Sequence, residues 1–251
     1  MKGFHIIVIL LIGNFFAAFA DTIPTIGTAN EQYRKGEFEK AIDSYEKIIG
    51  SGLSAPEIYY NLGNAYYRSH RIPMAILNYE RAKKIKPNDE EINFNLELAR
   101  GRIVDKINIL PDFFILDWLK KIVHSLSVNQ WAWVSMFSFF ITLCLAGLFL
   151  FSARRWIKQF AFWTGILVFL LTASSFAIAQ EQRHKLSVHD DAIIITASVT
   201  VRSSPDETGT ELFILHEGSK VKIGDSVGEW LEIRISDGNK GWIKAADLIR
   251  I

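Results

Sequence analysis

Three unlike patterns of apolar and polar positions follow one another along this chain. Through residues 29–102 a set of small, aromatic and apolar positions returns at an interval of about 34 residues. Two uncharged apolar runs come next, 131–151 and 160–179. Each is long enough to cross a hydrocarbon core of about 30 Å as a helix. From 192 to 251 the period falls to two. Val199 and Val201, Val221 and Ile223, then Leu231, Ile233 and Ile235 alternate with polar residues, and Val227-Gly228 and Asp237-Gly238 mark turns. The pattern predicts a helical repeat, a pair of membrane-length helices, and five or six short strands forming a closed or nearly closed small barrel.

The second copy of the repeat is the clearest: Tyr59, Leu62-Gly63, Tyr66, Ala75, Tyr79, Ala82 and Pro87. One period earlier stand Gln32-Tyr33, Gly36, Ala41, Tyr45 and Ile48, and one period later Asn93-Phe94, Leu96 and Ala99-Arg100. Small residues at Gly63, Ala75 and Ala82 let antiparallel helices approach, Tyr66 and Tyr79 fill the gaps, and Pro87 stops the second helix. At His70 the usual turn glycine is replaced, and Pro73 can open the helix after it. These residues resemble tetratricopeptide repeats, two full copies and a capping helix over 21–109. The resemblance implies a short concave face built from Asn30, Tyr33 and Arg34 in the first copy and Tyr60, Asn61, Asn64, Tyr67 and Arg68 in the second. Glu91, Phe94 and Asn95 continue it. In that family, asparagines placed as Asn30 and Asn64 are often hydrogen-bonded to a bound peptide backbone. The basic pair of the carboxylate-clamp type is missing here, so specificity for a C-terminal carboxylate is not expected. The same polar residues could equally form a plain solvated face.

The apolar runs are joined by 152–159, which holds Arg154, Arg155 and Lys158 and no acid. Residues 1–20 have the form of an export signal: Lys2, an apolar stretch from Ile6 to Ile12, and Ala18-Phe19-Ala20 before Asp21. Whether it is cleaved there or kept as an anchor, the segment after it leaves the cytoplasm. The loop 152–159 is then cytoplasmic, in keeping with the positive-inside rule. Both larger flanks share the periplasmic side of a bacterial inner membrane. Trp131, Trp133, Trp156 and Trp163 stand near span ends, as interfacial anchors do. Neither run holds an ionisable side chain, which argues against a channel or proton relay. Small residues at Ala173 and Ala177, and at Ser175 and Ala179, would let helices approach closely, within the hairpin or with a partner. Residues 110–128 mix Phe113, Phe114, Trp118 and Leu119 with Asp117, Lys120 and Lys121. They suit an amphipathic helix in the interface, or one packed beneath the repeat.

In the strand region, Val199-Thr200-Val201-Arg202-Ser203-Ser204-Pro205, Gly218-Ser219-Lys220-Val221, Gly228-Glu229-Trp230-Leu231-Glu232-Ile233 and Gly241-Trp242-Ile243 occur in that order. They are similar to bacterial SH3 domains, over 190–251. The resemblance implies a barrel that binds peptides or, in some relatives, cell-wall peptide stems. If Leu231 and Ile233 point inward, Trp230 points outward, as does Trp242 beside Ile243. The two could line a groove, or each could cap the barrel. Eleven acids and seven bases in 190–251, a net of −4, favour basic or neutral partners over lipid phosphates.

The net charge of the whole chain is +1, with no basic excess for nucleic acid. Cys144 is the single cysteine, and the six histidines are scattered, so no disulfide, metal site or cofactor is expected. No phosphate-binding glycine loop or nucleophile arrangement is present, and no enzymatic activity is expected. The fold class expected is a multidomain membrane protein: an α-helical repeat module, a transmembrane hairpin over 129–180, and a C-terminal all-β SH3-like barrel. This module order resembles the BatE-like aerotolerance operon proteins. That resemblance implies a scaffold beside von Willebrand A-domain membrane proteins and, through them, a MoxR-type ATPase. The alternative is a cell-wall sensor that binds peptidoglycan through the barrel.

Overall fold

Small side chains at fixed intervals bring the N-terminal helices together. The computed structural model describes residues 24–106, 119, 122–123, 125–187 and 190–251. The export signal and most of the expected juxtamembrane helix lie outside the described residues. Five helices form the repeat: α1 (Ile26–Arg34), α2 (Phe38–Gly50), α3 (Pro56–Arg68), α4 (Ile72–Ile85) and α5 (Glu90–Arg100). Thr25 and Asp89 cap α1 and α5 by accepting the backbone N–H of Thr28 and Ile92. Proline sits in the first turn of both α3 and α4, where its missing N–H costs nothing. Gly63 lies so close to Tyr79 that a Cβ there would fall 2.7 Å from the ring. His70 holds the left-handed conformation, φ 60°, that Gly36 holds one repeat earlier at φ 78°.

Two long helices come next, α6 (Val128–Phe151) and α7 (Arg155–Ser187). Both are long and apolar enough to cross a membrane. The connection expected over 152–159 is shorter than its composition suggests. Helix α7 already begins at Arg155, because nothing from Arg155 to Gln159 breaks a helix. At its far end the apolar run stops near Ala179, but the helix continues through Gln180-Glu181-Gln182-Arg183. Charge ends the apolar run there without ending the hydrogen-bond ladder. The helices meet through small polar residues: the Thr172 hydroxyl donates to Ser138 Oγ (2.8 Å), and Ser175 is fully buried. Ser175 and Ala179 face the hairpin's own seam, whereas Ala173 and Ala177 are exposed. Ser127 and Gln130 form a capping box at the start of α6.

The C-terminal region is one antiparallel sheet of seven strands: β1 (Asp191–Ile194), β2 (Ser198–Arg202), β3 (Glu211–His216), β4 (Lys220–Val227), β5 (Trp230–Arg234), β6 (Lys240–Lys244) and β7 (Leu248–Arg250). Their order is β3-β2-β6-β5-β4-β1-β7. Alternate residues fill one core, with Val201, Ile233 and Ile243 fully buried.

The repeat and the barrel are not separate bodies. Strand β1 is buried on both faces. Ala192 and Ile194 belong to the barrel core, while Ile193 packs into the repeat core with Ile251. Ion pairs tie the same seam. Glu80 on α4, 4% exposed, pairs with Arg100 on α5 and with Lys220 on β4 (2.9 Å), and Lys220 also reaches Asp191 (2.9 Å). Arg81 donates to the Arg250 carbonyl. Beyond α5, Asp105 accepts from the His216 N–H (2.7 Å) and the Ser219 hydroxyl (2.6 Å), with the His216 ring also in contact. Gly218, at φ 86°, is required in that turn, since a Cβ would lie 2.5 Å from Ile103.

Candidate binding surfaces

On the concave face of the repeat, one hydrogen-bonded unit occurs twice, once in each of two successive copies. The Tyr45 hydroxyl and the Asn61 amide both donate to Asn30 Oδ1. One copy on, the Tyr79 hydroxyl (2.7 Å) and the Asn95 amide (3.1 Å) both donate to Asn64 Oδ1. Asn95 also donates to the Tyr60 hydroxyl. Burial is the main reason the Tyr45 phenol is pushed up to about 12, and burial likewise raises Tyr79. Both hydroxyls therefore remain donors at neutral pH. Each asparagine oxygen holds two donors, which fixes its amide plane and leaves the NH2 as the group to offer a peptide carbonyl. Asn30 and Asn61 thus come together in one unit, and Asn64 and Tyr60 in the next.

The other candidates on this face are arranged differently. Tyr33 is half-buried, edge-on to Phe38 at 5.4 Å, and the Arg68 guanidinium lies over the same ring at 5.3 Å. Tyr67 packs half-buried against the core, and Arg34 is exposed. Arg102 completes a row that the fading third copy conceals in the sequence. Arg34, Arg68 and Arg102 occupy the same position of successive copies, and all three are exposed. Phe94 is 70% exposed at the position equivalent to Tyr60. With Tyr60, Glu91 and Asn95 it lines a shallow hollow. An aromatic and polar track therefore runs across the three copies.

In the barrel the two tryptophans part company. Trp242 stands on the outer face, half-buried, opposite Glu232 and Arg202 on its neighbouring strands. Trp230 does not point freely outward, as strand alternation predicts, and is only 8% exposed. It sits at the β4–β5 turn beyond a bulge between Ile223 and Ser226, and the Lys244 ammonium lies 5.6 Å from its ring. It closes the end of the barrel. Among the described residues, no group of three or more His, Cys, Asp or Glu is placed to hold a metal ion.

Two family models match parts of the chain. Residues 56–89, helices α3 and α4 with the turn after them, match the tetratricopeptide repeat. Residues 197–249, strands β2 to β7, match the bacterial SH3 domain. No curated protein matched the chain. Both matched modules are of kinds that bind other molecules rather than catalyse reactions. The chain therefore joins a tetratricopeptide repeat to a bacterial SH3 domain, with two membrane-length helices between them in sequence.

Proposed function

We propose that this protein is a non-enzymatic scaffold, held in a bacterial inner membrane by the α6–α7 hairpin, whose repeat binds a segment of another membrane protein. The observation that supports this best is the doubled asparagine–tyrosine unit on the concave face, flanked by exposed Phe94. Oriented amide donors repeated along a groove suit the evenly spaced carbonyls of a peptide, and the exposed ring adds apolar contact. Protein binding through a concave face is what such stacked repeats offer. The module order, which resembles BatE-like proteins, supports von Willebrand A-domain membrane proteins as the partners, with a MoxR-type ATPase engaged through them. Both large modules lie on the periplasmic side in this reading.

The test is affinity capture with the full chain from detergent-solubilised membranes. The intact protein should recover A-domain proteins, and Phe94→Glu should lose most of them while keeping its thermal midpoint. Equal recovery by the variant, or none by the intact chain, would refute the proposal. A second reading is peptidoglycan binding by the barrel, favoured by Trp242 on its outer face, since aromatic faces pack well against sugar and peptide stems. Co-sedimentation of the full chain with purified cell wall, lost in Trp242→Ala, tests it. The isolated barrel is unsuited to this, because removing the repeat would expose Ile193 and Ile251.

A further inference from the structure

Where the repeat meets the hairpin, two cavities join. The upper one, about 930 Å³, lies between the end of α4 with its following turn and the adjoining ends of α6 and α7. Its polar lining includes Lys84, Lys86, Asp89, Ser127 and Arg183. The lower one, about 620 Å³, is a groove between α6 and α7 lined by Met136, Phe139, Phe169, Ala173 and Phe176. Val128, Asn129 and Arg183 line both, so the polar chamber opens directly onto the apolar groove.

We propose that this two-part cavity holds one anionic glycerophospholipid, its phosphate among Lys84, Lys86 and Arg183 and an acyl chain in the groove below. The inference rests on the two-span reading. Three lines of argument carry it. The first is charge: three cations face one carboxylate, Asp89, in the upper chamber. The second is position. The chamber lies where α6 begins and where the uncharged stretch of α7 ends, which is the depth of lipid headgroups. The third is polarity: the cavity passes from basic to apolar in the direction of the bilayer centre, as the ligand itself does. A free phosphate would leave the groove empty, and an apolar partner helix would bring nothing acidic to the basic chamber.

All three cations already have partners within the protein. Lys86 pairs with Asp89 (3.2 Å) and Glu57 (3.6 Å) at an exposed site, and Lys84 donates to the Ile251 carbonyl (3.2 Å). The exposed Lys86 pairs are weak and can be shared with an arriving phosphate. The positive end of α6 adds to the same field. Basic pockets at the membrane surface recognise anionic headgroups on this principle.

The test is native mass spectrometry of the full chain after reconstitution in phosphatidylcholine vesicles containing phosphatidylglycerol. One phosphatidylglycerol should be retained in preference to phosphatidylcholine. The double variant Lys86→Gln, Arg183→Gln should reduce that preference about thirtyfold, taking each basic contact as worth about 1 kcal/mol. Ala173→Trp, which fills the groove and spares the cations, should reduce retention of lipid altogether. Circular dichroism confirms that the variants are folded. Equal retention of the two lipids, or retention unchanged in both variants, overturns the site. So does full displacement by glycerol 3-phosphate or inorganic phosphate, which would mean that phosphate alone is recognised. Carbonate extraction separates the two levels. Release of the chain from membranes refutes the two-span reading and this site with it, whereas an integral chain without selective lipid refutes the site alone.

Discussion

At the scale of single residues, the repeat shows where one side chain departs from its period and where another depends on it. His70 stands in a left-handed turn that Gly36 occupies in the first copy. A left-handed conformation costs an L residue about 1–2 kcal/mol, and glycine's greater freedom when unfolded gives back part of the gain. His70→Gly should therefore raise stability by about 0.5–1 kcal/mol, seen as a higher midpoint in chemical denaturation; a lower midpoint would refute the strain. Asn64 points the other way. Its oxygen is the acceptor for the buried Tyr79 hydroxyl, so Asn64→Ala should cost about 1–3 kcal/mol. Loss of ligand binding in that variant alone would not establish contact with the ligand, which is why Phe94, exposed and outside the network, is the better probe. The His70 turn was legible in the sequence because it is local and periodic, whereas the bond from Tyr79 to Asn64 was not read there. Arg102 was equally available, one period after Arg68, but the third copy fades and hides the register.

Among elements, β1 marks the limit of what a local pattern tells. The alternation of Val199, Val201, Leu231 and Ile233 foretold a one-sided sheet, and most strands obey it. Ala192-Ile193-Ile194 breaks the rule with three consecutive buried residues. An unbroken apolar run is what a strand covered on both faces looks like. That run was the one local sign that the barrel would dock on the repeat. The partners across the seam, Glu80 with Lys220 and Asp105 with Ser219, are 140 and 114 residues apart, so no spacing rule could pair them. For Trp230 the sequence left a groove and a cap both open; alternation in β5 could not choose, because what covers the ring lies at the β4–β5 turn and on Lys244.

The seam also has a pH signature. Burial pushes the Asp105 carboxyl up, but the hydrogen bonds from His216 and Ser219 outweigh it and hold the group below the ordinary 3.8. Burial pulls the Lys220 ammonium down, but Glu80 and Asp191 outweigh it and hold it above the ordinary 10.5. The carboxylate's contribution is therefore fully present above 3.8 and lost as pH falls through its lower folded value. The ammonium's contribution is present below 10.5 and lost as pH rises through its higher folded value. Between these limits neither Asp105 nor Lys220 changes its charge. Asp105→Asn should loosen it by about 1–2 kcal/mol at neutral pH, seen as faster hydrogen exchange in β1 with β5 unaffected. Equal protection of β1 in the variant would show the clasp to be incidental.

For the whole molecule, the two-span reading decides which compartment each part would meet. The turn between α6 and α7 is only Ser152 to Arg154, with Arg155 and Lys158 just inside the next helix. Protease added to spheroplasts should therefore remove both the repeat and the barrel while sparing the hairpin. Digestion of one and survival of the other would overturn the shared compartment. The two long apolar helices were legible, since each contains an uncharged apolar run, but the length of α7 was not, because helix formers carry it past the last apolar turn.

The doubly covered strand has a mechanical consequence. Helix α7 ends at Ser187 and β1 begins at Asp191, so few residues separate what the two-span reading makes a rod through the bilayer from the stitch that fastens barrel to repeat. Tension or tilt in that rod would arrive first at Ile193 and the Glu80–Lys220 bridge, and would part the two modules before unravelling either of them. A load borne by the membrane would thus become a change in how two recognition surfaces face one another.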